Sequence, residues 1–571
     1  MKQRIERVPF GTAVPLGESS YTFQVEIDPE KCSGCGKCAI ECPSQIIEMR
    51  KETHLNQSAP CYEACLSAND VRGAMSIVKE EGDYEKAWRY LTRRNPFPAS
   101  VGRACPHPCE DECSRGHLDE AVNLHSFERF IGDHAIEKGW KFEKPKAGAE
   151  KKAAVVGGGS AGLSCAYQLA RRGVAVTVFE RDEKAGGMMQ YGIPQYRIPK
   201  EILDQEIERI LEIGVTVETG KKLGENLSLN QLKSEYDVVF LATGNYRSMK
   251  LNVPGEECTV AALSFLHDMP SAIQGEVIVV GGGNVAIDSA RTAMRLGADK
   301  VTVVSLEQMY QMSASNEEIR ESKEEGIVFV SGQGSHHIET SGGRKKLVLK
   351  RCVSVFDENG RFSPSYDEED LSELEADLII TAIGQLPERL ALEADGGVKT
   401  VPSGHVMIAD DCSYETNVAG VYAGGDAVRH HGNGSVAGAI DSGVRAAEAM
   451  LGYLGMDIER IGIGHPELAE IDLNKYREQF KRCEKCADSA NSRKSGFREY
   501  VATMSGDEAG EEISRCLTCG TATAHYIGPQ NSRKFNVACN NCHNCVDVCE
   551  EKAIEFRYVT ATKQRTIGFS D

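Results

Sequence analysis

Apolar runs of strand length alternate with amphipathic, helix-like stretches through the middle of the chain, from about residue 149 to residue 455. The run AAVVG leads into one such stretch and then into VAVTVFE, and EVIVVG opens a second unit of the same kind. Alternating strands and helices are typical of parallel-sheet nucleotide-binding domains. Residues 51–148 have a helical pattern instead, and short strand-like runs lie near both ends. The pattern predicts an α/β core, a helical domain and small terminal segments.

These patterns divide the 571-residue chain into six units. The predicted units are a terminal segment at 1–50, a helical domain at 51–148, a Rossmann-like domain at 149–247 and 386–455, a second Rossmann-like domain at 248–385, a linker at 456–520 and a terminal segment at 521–571.

The charge and hydropathy of the chain exclude several classes of partner. The net charge is −20 and no basic tract occurs, which argues against nucleic acid and anionic membranes. No run of about 18 apolar residues is present, so we expect no membrane span. The first residues, MKQRIERVPFGTAV, have no apolar signal core, and we expect a cytoplasmic protein.

Cysteine is the most informative residue type in the chain. There are 21 cysteines, and because no signal core precedes them, metal ligation is a better interpretation than disulfides. Most of them are clustered at short spacings. Four are isolated, and we interpret these as buried small hydrophobic residues: Cys165, Cys258, Cys352 and Cys412.

One cysteine run lies near each end of the chain, with C-x2-C-x2-C-x3-C spacing. The ligands are Cys32, Cys35, Cys38 and Cys42 in the first run and Cys539, Cys542, Cys545 and Cys549 in the last. In two-cluster ferredoxins such a run gives three ligands to one 4Fe–4S cluster and the fourth to its neighbour. Similar strand-like flanks surround both runs. We hypothesise that the two ends pair into one ferredoxin-like α+β module, in which Cys42 and Cys549 are exchanged; the alternative is two half-modules that each pair with a partner subunit.

The first Rossmann-like unit has a strand, a glycine-rich turn, a helix, a second strand and an acid, in that order. Glycines at these positions let backbone N–H groups approach a pyrophosphate at the helix N-terminus, and the acid binds a ribose. The candidate nucleotide-binding residues are Gly157, Gly159, Ser160, Ala161, Gly162, Glu180 and Arg181.

The second unit repeats these features. Its candidate residues are Gly281, Gly283, Asn284, Val285, Ala286 and, after the second strand, Glu307. An NADP 2′-phosphate favours arginine at this position, whereas a free ribose hydroxyl accepts an acid. Glu307 therefore favours NAD(H) over NADP(H); the alternative is that Glu307 is a solvated surface acid.

Three further strand-then-turn segments complete the predicted nucleotide sites. Thr243, Gly244 and Gly384 end strands that bracket the inserted domain, and Gly425 with Asp426 follows another strand. Asp426 can accept a hydrogen bond from a flavin ribityl hydroxyl; the alternative is an ordinary helix N-cap. Two dinucleotide sites in one chain predict a flavin and a nicotinamide placed for hydride transfer.

The chain resembles the small subunit of glutamate synthase in the segment GGMMQYGIPQYRIPKEIL, which contains Gly187, in the two glycine motifs and in the segment GVYAGGDAV. Its relatives include the N-terminal half of dihydropyrimidine dehydrogenase and the large subunit of bifurcating NADH-dependent ferredoxin:NADP oxidoreductase. The resemblance covers about residues 60–520. It implies FAD on the first unit and NAD(P)H on the second. NADP-using relatives carry Tyr-Arg-Arg where this chain has Ser305-Leu306-Glu307.

The resemblance also implies iron–sulfur clusters in the helical domain. The family's flavin-proximal cluster would use Cys65, Cys105, Cys109 and Glu128, although Glu128 is equally explained as a surface helix acid. Cys61 and Cys113 match a second family cluster. The C-x2-C pair that should precede Cys61 is missing, so we expect this cluster to be lost or completed from elsewhere.

Two further C-x2-C pairs lie in the linker segment: Cys483 with Cys486, and Cys516 with Cys519. Two such pairs can form a tetrahedral zinc site, which is our first interpretation, and an iron–sulfur cluster is the second. A third is that Cys516 and Cys519 complete the damaged cluster with Cys61 and Cys113.

We therefore expect an FAD-containing NAD(P)H:ferredoxin-type oxidoreductase with three 4Fe–4S clusters, one in the helical domain and two in the terminal segments. Its expected partners are ferredoxin or other redox subunits of a complex. The alternatives are a subunit of an electron-bifurcating transhydrogenase, a glutamate synthase small subunit, and a non-catalytic electron relay with a decayed nicotinamide site. No acid–base or nucleophilic constellation is required, because the cofactors carry the chemistry.

Overall fold

The computed structural model describes residues 21–27, 57–145, 150–429, 434–456, 467–468, 481–483, 486–517, 519 and 554–560. The eight cysteines of the two terminal runs lie outside these residues. No helix within the described residues is both long and apolar enough to cross a membrane.

The predicted helical domain is present. Its helices are Pro60–Glu63, Val71–Glu81, Tyr84–Thr92, Pro98–Ala104, Pro108–Asp111 and Leu124–Glu137, with a 3-10 turn at Ser114–His117. Asp70 and Asp83 begin two of the helices, because each carboxylate accepts a hydrogen bond from a backbone N–H of the first turn. The fully buried Trp88, stacked on Phe142 with ring centroids 5.2 Å apart, fills the centre of the domain.

Helices Pro98–Ala104 and Leu124–Glu137 cross at very short distance. A Cβ atom on Gly132 would lie 2.2 Å from the backbone nitrogen of Ala99, and one on Gly102 would lie 2.4 Å from that of Arg129. Glycine is therefore required at both positions. This contact fixes the end of helix Pro98–Ala104, which leads directly into Cys105.

The first Rossmann-like domain is a five-stranded parallel sheet. In spatial order its strands are Val421–Ala423, Val238–Leu241, Lys152–Val156, Ala175–Phe179 and Thr216–Glu218. Its helices are Ser160–Ala170, Met188–Tyr191, Lys200–Glu212, Leu229–Glu235 and Val436–Tyr453, with a 3-10 turn at Gly425–Ala427. This domain shares one continuous hydrophobic core with the helical domain.

The second Rossmann-like domain is also a five-stranded parallel sheet with a core of its own. Its strands, in spatial order, are Val328–Ser331, Lys300–Ser305, Glu276–Val280, Leu378–Thr381 and Val260–Ala261. Its helices are Ala262–His267, Asn284–Arg295 and Asn316–Glu324, with 3-10 turns at Glu256–Cys258 and Met309–Gln311. The short strands Arg247–Ser248 and Gln385–Leu386 pair where the chain enters and leaves this domain. Both sheets confirm the predicted fold class.

A three-stranded antiparallel sheet extends the second domain. It consists of Gln333–Ser341, Arg344–Phe356 and Phe362–Ala376. The alternation of strands and helices did not predict this sheet, because its long strands carry mixed charges rather than a regular apolar pattern.

A buried carboxylate joins the helical domain to the first Rossmann-like domain. Glu206, on helix Lys200–Glu212, accepts hydrogen bonds from the backbone N–H groups of Ala99 and Ser100, at 2.8 and 3.0 Å, and from the Ser100 hydroxyl at 2.6 Å. It therefore caps the N-terminus of helix Pro98–Ala104 from the other domain.

The segment that follows the Rossmann-like domains returns to the helical domain. Helix Gly506–Arg515 packs on helices Val71–Glu81 and Leu124–Glu137 and begins with a capping box between Ser505 and Glu508. Other elements of this part are helix Ala490–Arg493 and the strand Glu467–Leu468, which pairs with Gln57–Ser58.

The two ends of the chain meet. Strand Tyr21–Ile27 pairs antiparallel with strand Ile554–Thr560, with Tyr21 opposite Thr560 and Ile27 opposite Ile554. The segments that flank the two terminal cysteine runs are therefore neighbours in space.

We predict that Gly132→Ala destabilises the protein, because the added methyl group would overlap the backbone of Ala99. Overpacking of this kind typically costs about 1–3 kcal/mol. Thermal denaturation should show a lower Tm than for the wild type. Gly510→Ala is the control, since Gly510 is also helical but has open space around it, and alanine there should stabilise the helix by about 0.5–1 kcal/mol. Equal Tm values for Gly132→Ala and the wild type would contradict the prediction.

Candidate functional site

The first glycine-rich turn forms a backbone cradle between strand Lys152–Val156 and helix Ser160–Ala170. A Cβ atom on Gly157 would lie 2.3 Å from the Ala242 carbonyl oxygen, and one on Gly162 would lie 1.9 Å from the Gly157 carbonyl oxygen. Only glycine fits at these two positions. Gly159 is the N-cap of the helix and carries no side chain, so the N–H groups of Ser160 and Ala161 are accessible to an anion.

Glu180 closes this cradle from the second strand. Its carboxylate accepts hydrogen bonds from the backbone N–H groups of Gly158, at 2.7 Å, and Asp182, at 2.9 Å. Burial raises the pKa of this carboxyl group. The next residue, Arg181, lies over the Tyr246 ring, 3.1 Å from its centroid. This end of the site offers an acid for a ribose and a flat cationic surface for a base.

Asp426 stands on the opposite wall, in the turn after strand Val421–Ala423. Its carboxylate accepts a hydrogen bond from the Gly434 N–H at 2.8 Å. The helix that follows is capped by Ser435, which accepts from Gly438, so Asp426 is not its N-cap. Asp426 lines the same cleft as Gly157 and Glu180.

The second glycine-rich turn has the same geometry. A Cβ atom on Gly281 would lie 2.3 Å from the Ala382 carbonyl oxygen, and Gly283 is the N-cap of helix Asn284–Arg295. Asn284 and Val285 line the cleft that contains the first turn. The cleft has a volume of about 1700 Å³ including its opening to solvent.

Glu307 occupies the position in the second unit that Glu180 occupies in the first. A Cβ atom on Gly282 would lie 2.7 Å from an oxygen of Glu307, and one on Gly158 would lie 3.0 Å from an oxygen of Glu180. Glu307 is half-buried against the turn.

The remaining predicted residues surround the cleft. Thr243 and Gly244 line it, and Gly187 approaches Gly159 closely, since a Cβ atom on Gly187 would lie 2.8 Å from the Gly159 Cα. Gly384 has a φ of +117° and accepts a hydrogen bond from the Met249 N–H at 3.0 Å. The structure thus brings most of the predicted residues of the first unit, together with Asn284 and Val285 of the second, to one cleft.

A cysteine-lined cavity lies directly beside this cleft. Ala104 and Pro106, which flank Cys105, line the nucleotide cleft. Cys65, Cys105, Cys109 and Glu128 line the neighbouring cavity, whose volume is about 460 Å³. The four residues that the resemblance assigns to the flavin-proximal cluster are therefore together, one residue away from the nucleotide cleft.

Glu128 is a buried residue and not a surface acid. One of its carboxylate oxygens accepts hydrogen bonds from the side-chain amides of Asn69, at 2.8 Å, and Asn95, at 2.9 Å. Burial raises the pKa of this carboxyl group to about 7. A buried carboxylate that is held by two neutral amides beside three cysteines suits a metal ligand. Sequence reasoning missed the two asparagines, because only the fold brings them to Glu128.

The cysteine thiols of this cavity are buried. Burial raises the pKa of Cys65, Cys105 and Cys109, so these thiols are neutral unless a metal takes the place of the proton. The donor set of three thiols and one carboxylate fits a 4Fe–4S cluster, for which thiolates are the usual ligands.

The described residues do not show the zinc site predicted for the two C-x2-C pairs of the linker segment, and zinc there stays a prediction. Sulfur ligands of a tetrahedral zinc ion lie about 3.8 Å from one another. Within the described part of the chain, one group of three candidate ligand atoms lies within 4.8 Å, and it is His107, Glu110 and His125. The Cys483 sulfur contacts Glu508 and Glu511 instead, and Cys486 is exposed.

Cys516 and Cys519 lie with two other cysteines. A third cavity, of about 320 Å³, is lined by Cys61, Cys113, Cys516 and Cys519. Local spacing suggested that the two linker pairs would meet each other, whereas the fold directs one of them to the helical domain.

A nucleotide cleft with two Rossmann turns, joined to a cysteine-lined cavity, defines a flavin- and iron–sulfur-dependent oxidoreductase. The family model of pyridine nucleotide-disulphide oxidoreductases matches residues 151–446. The model of dihydropyrimidine dehydrogenase domain II, a 4Fe–4S cluster domain, matches residues 53–140, and a 4Fe–4S binding domain matches residues 25–48. The chain belongs to the pyridine nucleotide-disulphide oxidoreductase family, and the predicted resemblance is confirmed.

Three curated relatives illustrate this family. The NADP(+)-dependent formate dehydrogenase subunit beta of Moorella thermoacetica is 32% identical over 81% of this chain and 70% of its own length. The NADPH-Fe(3+) oxidoreductase subunit beta of Geobacter sulfurreducens is 29% identical, with coverages of 83% and 78%. The NADPH glutamate synthase small chain of Escherichia coli is 30% identical, with coverages of 79% and 95%.

We predict that Glu180→Ala weakens FAD binding about tenfold or more, since hydrogen bonds to a charged group are worth about 1.5–3 kcal/mol. The ratio of flavin absorbance to protein after dialysis measures this loss. Glu183→Ala is the matched control, because Glu183 is an exposed acid three residues away. Equal FAD retention in the two variants would contradict the assignment of Glu180.

Proposed function

We propose that this chain takes electrons from NADH and delivers them, through FAD and 4Fe–4S clusters, to ferredoxin or to a partner redox subunit. The observation that supports this most directly is that Cys105 lies between Ala104 and Pro106, two residues of the nucleotide cleft. Electrons that reach a flavin in the cleft would have a cluster ligand as their nearest exit.

The residues of the cleft would bind the two dinucleotides and orient them relative to each other. The N–H groups of Ser160 and Ala161 would hold the FAD pyrophosphate, Glu180 its ribose and Asp426 its ribityl chain. The turn at Gly281–Gly283 would hold the nicotinamide dinucleotide against the same cleft. FAD, when bound, accepts a hydride from NADH and releases electrons singly.

The preference for NADH rests on Glu307. Its carboxylate lies against the second glycine turn in the position where Glu180 lies in the first unit. A carboxylate there would repel the 2′-phosphate of NADPH and accept a hydrogen bond from the free hydroxyl of NADH. The relatives whose names specify NADPH are therefore not a guide to the nucleotide of this chain. The intact turn at Gly281 also favours a working nicotinamide site over a decayed one.

The terminal segments would form one two-cluster ferredoxin module. The antiparallel pairing of Tyr21–Ile27 with Ile554–Thr560 supports this proposal. Cys32 follows Ile27 by five residues and Cys549 precedes Ile554 by five residues. Five residues span at most ~18 Å, so both cysteine runs begin or end close to the paired strands. Such a module would suit docking to a redox partner.

We predict that NADH, and not NADPH, bleaches the flavin of the purified chain under anaerobic conditions. The second-order rate with NADH should exceed that with NADPH by about tenfold or more, which corresponds to about 1.4 kcal/mol of repulsion. Glu307→Gln removes the charge and should reduce this ratio severalfold. Glu339→Gln is the control, because Glu339 is an exposed acid of the same domain. Bleaching by NADPH alone would overturn the nucleotide assignment, and bleaching by neither would favour the electron relay.

We predict that Cys42 ligates the cluster held by Cys539, Cys542 and Cys545. The triple variant Cys32→Ser, Cys35→Ser, Cys38→Ser should lose one cluster, about four iron atoms per chain. Adding Cys42→Ser should then change the EPR spectrum of the remaining terminal cluster. If this spectrum is the same in the triple and quadruple variants, the two ends form separate half-modules.

A further inference from the structure

Four cysteines of the described residues converge from opposite ends of the chain without a role in the flavin-proximal site. Cys61 and Cys113 belong to the helical domain, and Cys516 and Cys519 follow helix Gly506–Arg515. All four line one cavity, whose volume is about 320 Å³ including its opening to solvent. Two pairs of cysteines that are distant in sequence therefore face a common space.

The C-terminal pair is held in this position by buried hydrogen bonds. The Arg72 guanidinium donates to the carbonyl oxygen of Cys519 at 2.7 Å, although the two residues are 447 positions apart. The Arg115 guanidinium donates to the carbonyl oxygen of Arg515 at 2.6 Å. The Arg515 side chain in turn donates to the carbonyl oxygen of Glu120 at 2.6 Å. Both ends of the segment that carries Cys516 and Cys519 are thus attached to the helical domain.

Apolar contacts add to this attachment. Cys519 and Leu517 pack in a small buried cluster with Ala59 and Tyr62, and Cys61 contacts the same cluster. Cys519 is 8% exposed. The C-x2-C pair is therefore a folded part of the helical domain and not a surface loop.

Two buried cations face the cavity. Arg72 and Arg115 line it together with the four cysteines, and their side chains are 1% and 4% exposed. Each arginine also pairs with an acid, Arg72 with Asp70 at 3.2 Å and Arg115 with Asp119 at 2.6 Å. Four thiolates with an iron–sulfur cluster carry net negative charge, and a buried anion is stable only beside compensating cations and hydrogen-bond donors. The cavity supplies both.

The spacing of the sulfur atoms selects between a single ion and a cluster. No three candidate ligand atoms among these four cysteines lie within 4.8 Å of one another in the described structure. A tetrahedral zinc ion needs sulfur atoms about 3.8 Å apart. In any three of these four cysteines, at least one pair of sulfur atoms is therefore more than 4.8 Å apart, which favours a group of several atoms over a single ion.

We propose that Cys61, Cys113, Cys516 and Cys519 hold a second 4Fe–4S cluster in the helical domain. Each thiol displaces one terminal ligand of a preassembled 4Fe–4S cluster: one Fe–S bond forms, one bond from iron to the outgoing ligand breaks, and that ligand leaves with the thiol proton, so no electron is transferred. The C-terminal pair takes the place of the C-x2-C that is missing before Cys61. The chain would then carry four clusters and not three.

This cluster extends the proposed electron path. Cys61, Arg72 and Leu124 line both the flavin-proximal cavity and this one, so the two cluster sites are direct neighbours. The C-terminal cysteine run begins at Cys539, 20 residues after Cys519. The inference rests on the proposed electron-transfer function but not on the choice of NADH.

The test is an iron and sulfide count on the full chain, purified anaerobically and reconstituted with iron and sulfide. The double variant Cys516→Ser, Cys519→Ser should lose about four iron atoms per chain. The double variant Cys61→Ser, Cys113→Ser should lose the same number. Because all four cysteines hold one cluster, the quadruple variant should also lose about four, and not about eight. Cys412→Ser and Cys483→Ser are controls and should retain the wild-type iron content.

Several results would contradict a cluster shared by the four cysteines. Additive losses would place the two pairs in separate clusters, and retention of all iron by Cys516→Ser, Cys519→Ser would remove this pair from any cluster. Zinc bound in place of iron in the wild-type chain would also overturn the proposal. Full FAD content and bleaching by reduced nicotinamide should persist in every variant, because the flavin is reduced before the clusters. Where a double variant folds poorly, Cys61→Ser and Cys519→Ser singly should alter the same EPR signal, and different signals would refute a shared cluster.

Failure of the proposed function has a different signature. If no nicotinamide dinucleotide reduces the flavin of the wild-type chain, the proposed function is wrong. The iron counts would still show whether the four cysteines hold one cluster.

Discussion

The arrangement of the redox sites depends on one buried carboxylate between two domains. Glu206 belongs to the first Rossmann-like domain, yet it caps the helix of the other domain that ends at Cys105. Its side chain is completely buried, so the hydrogen bonds to Ala99 and Ser100 must form for the interface to close. Through this cap, the helix that leads into Cys105 is oriented by the domain that also forms part of the nucleotide cleft.

A second set of buried charges connects the second Rossmann-like domain to the first. Arg197, on the segment that lines the cleft, donates to both oxygens of Asp288 at 2.9 and 3.0 Å and pairs with Glu318 at 3.2 Å. Asp288 is on the helix that begins at the second glycine turn. Removal of one partner would leave a buried charge without compensation, so the pair favours a single orientation of the two dinucleotide turns.

The features that were predictable from the sequence are those with a local physical cause. Gly157 and Gly281 are marked by the strand–turn–helix pattern, because the turn itself excludes a Cβ atom. Glu180 and Glu307 follow from their positions just after the second strand of each unit. The partners of Glu128 were not predictable, since Asn69 and Asn95 reach it only through helix packing. The zinc site stays a prediction: the spacing of Cys516 and Cys519 indicates ligation in pairs, but it does not contain the arginines that hydrogen-bond to this segment.

The meeting of the first and last strands has a consequence for biosynthesis. Strand Tyr21–Ile27 leaves the ribosome long before its partner Ile554–Thr560. Domains generally fold in the order of synthesis, at roughly 5–20 residues per second, and contacts between distant segments form late. The domains between these two strands can therefore fold before strand Tyr21–Ile27 is able to pair with strand Ile554–Thr560. The pairing of these two strands, which lie more than 500 positions apart in the chain, is therefore a late step of folding.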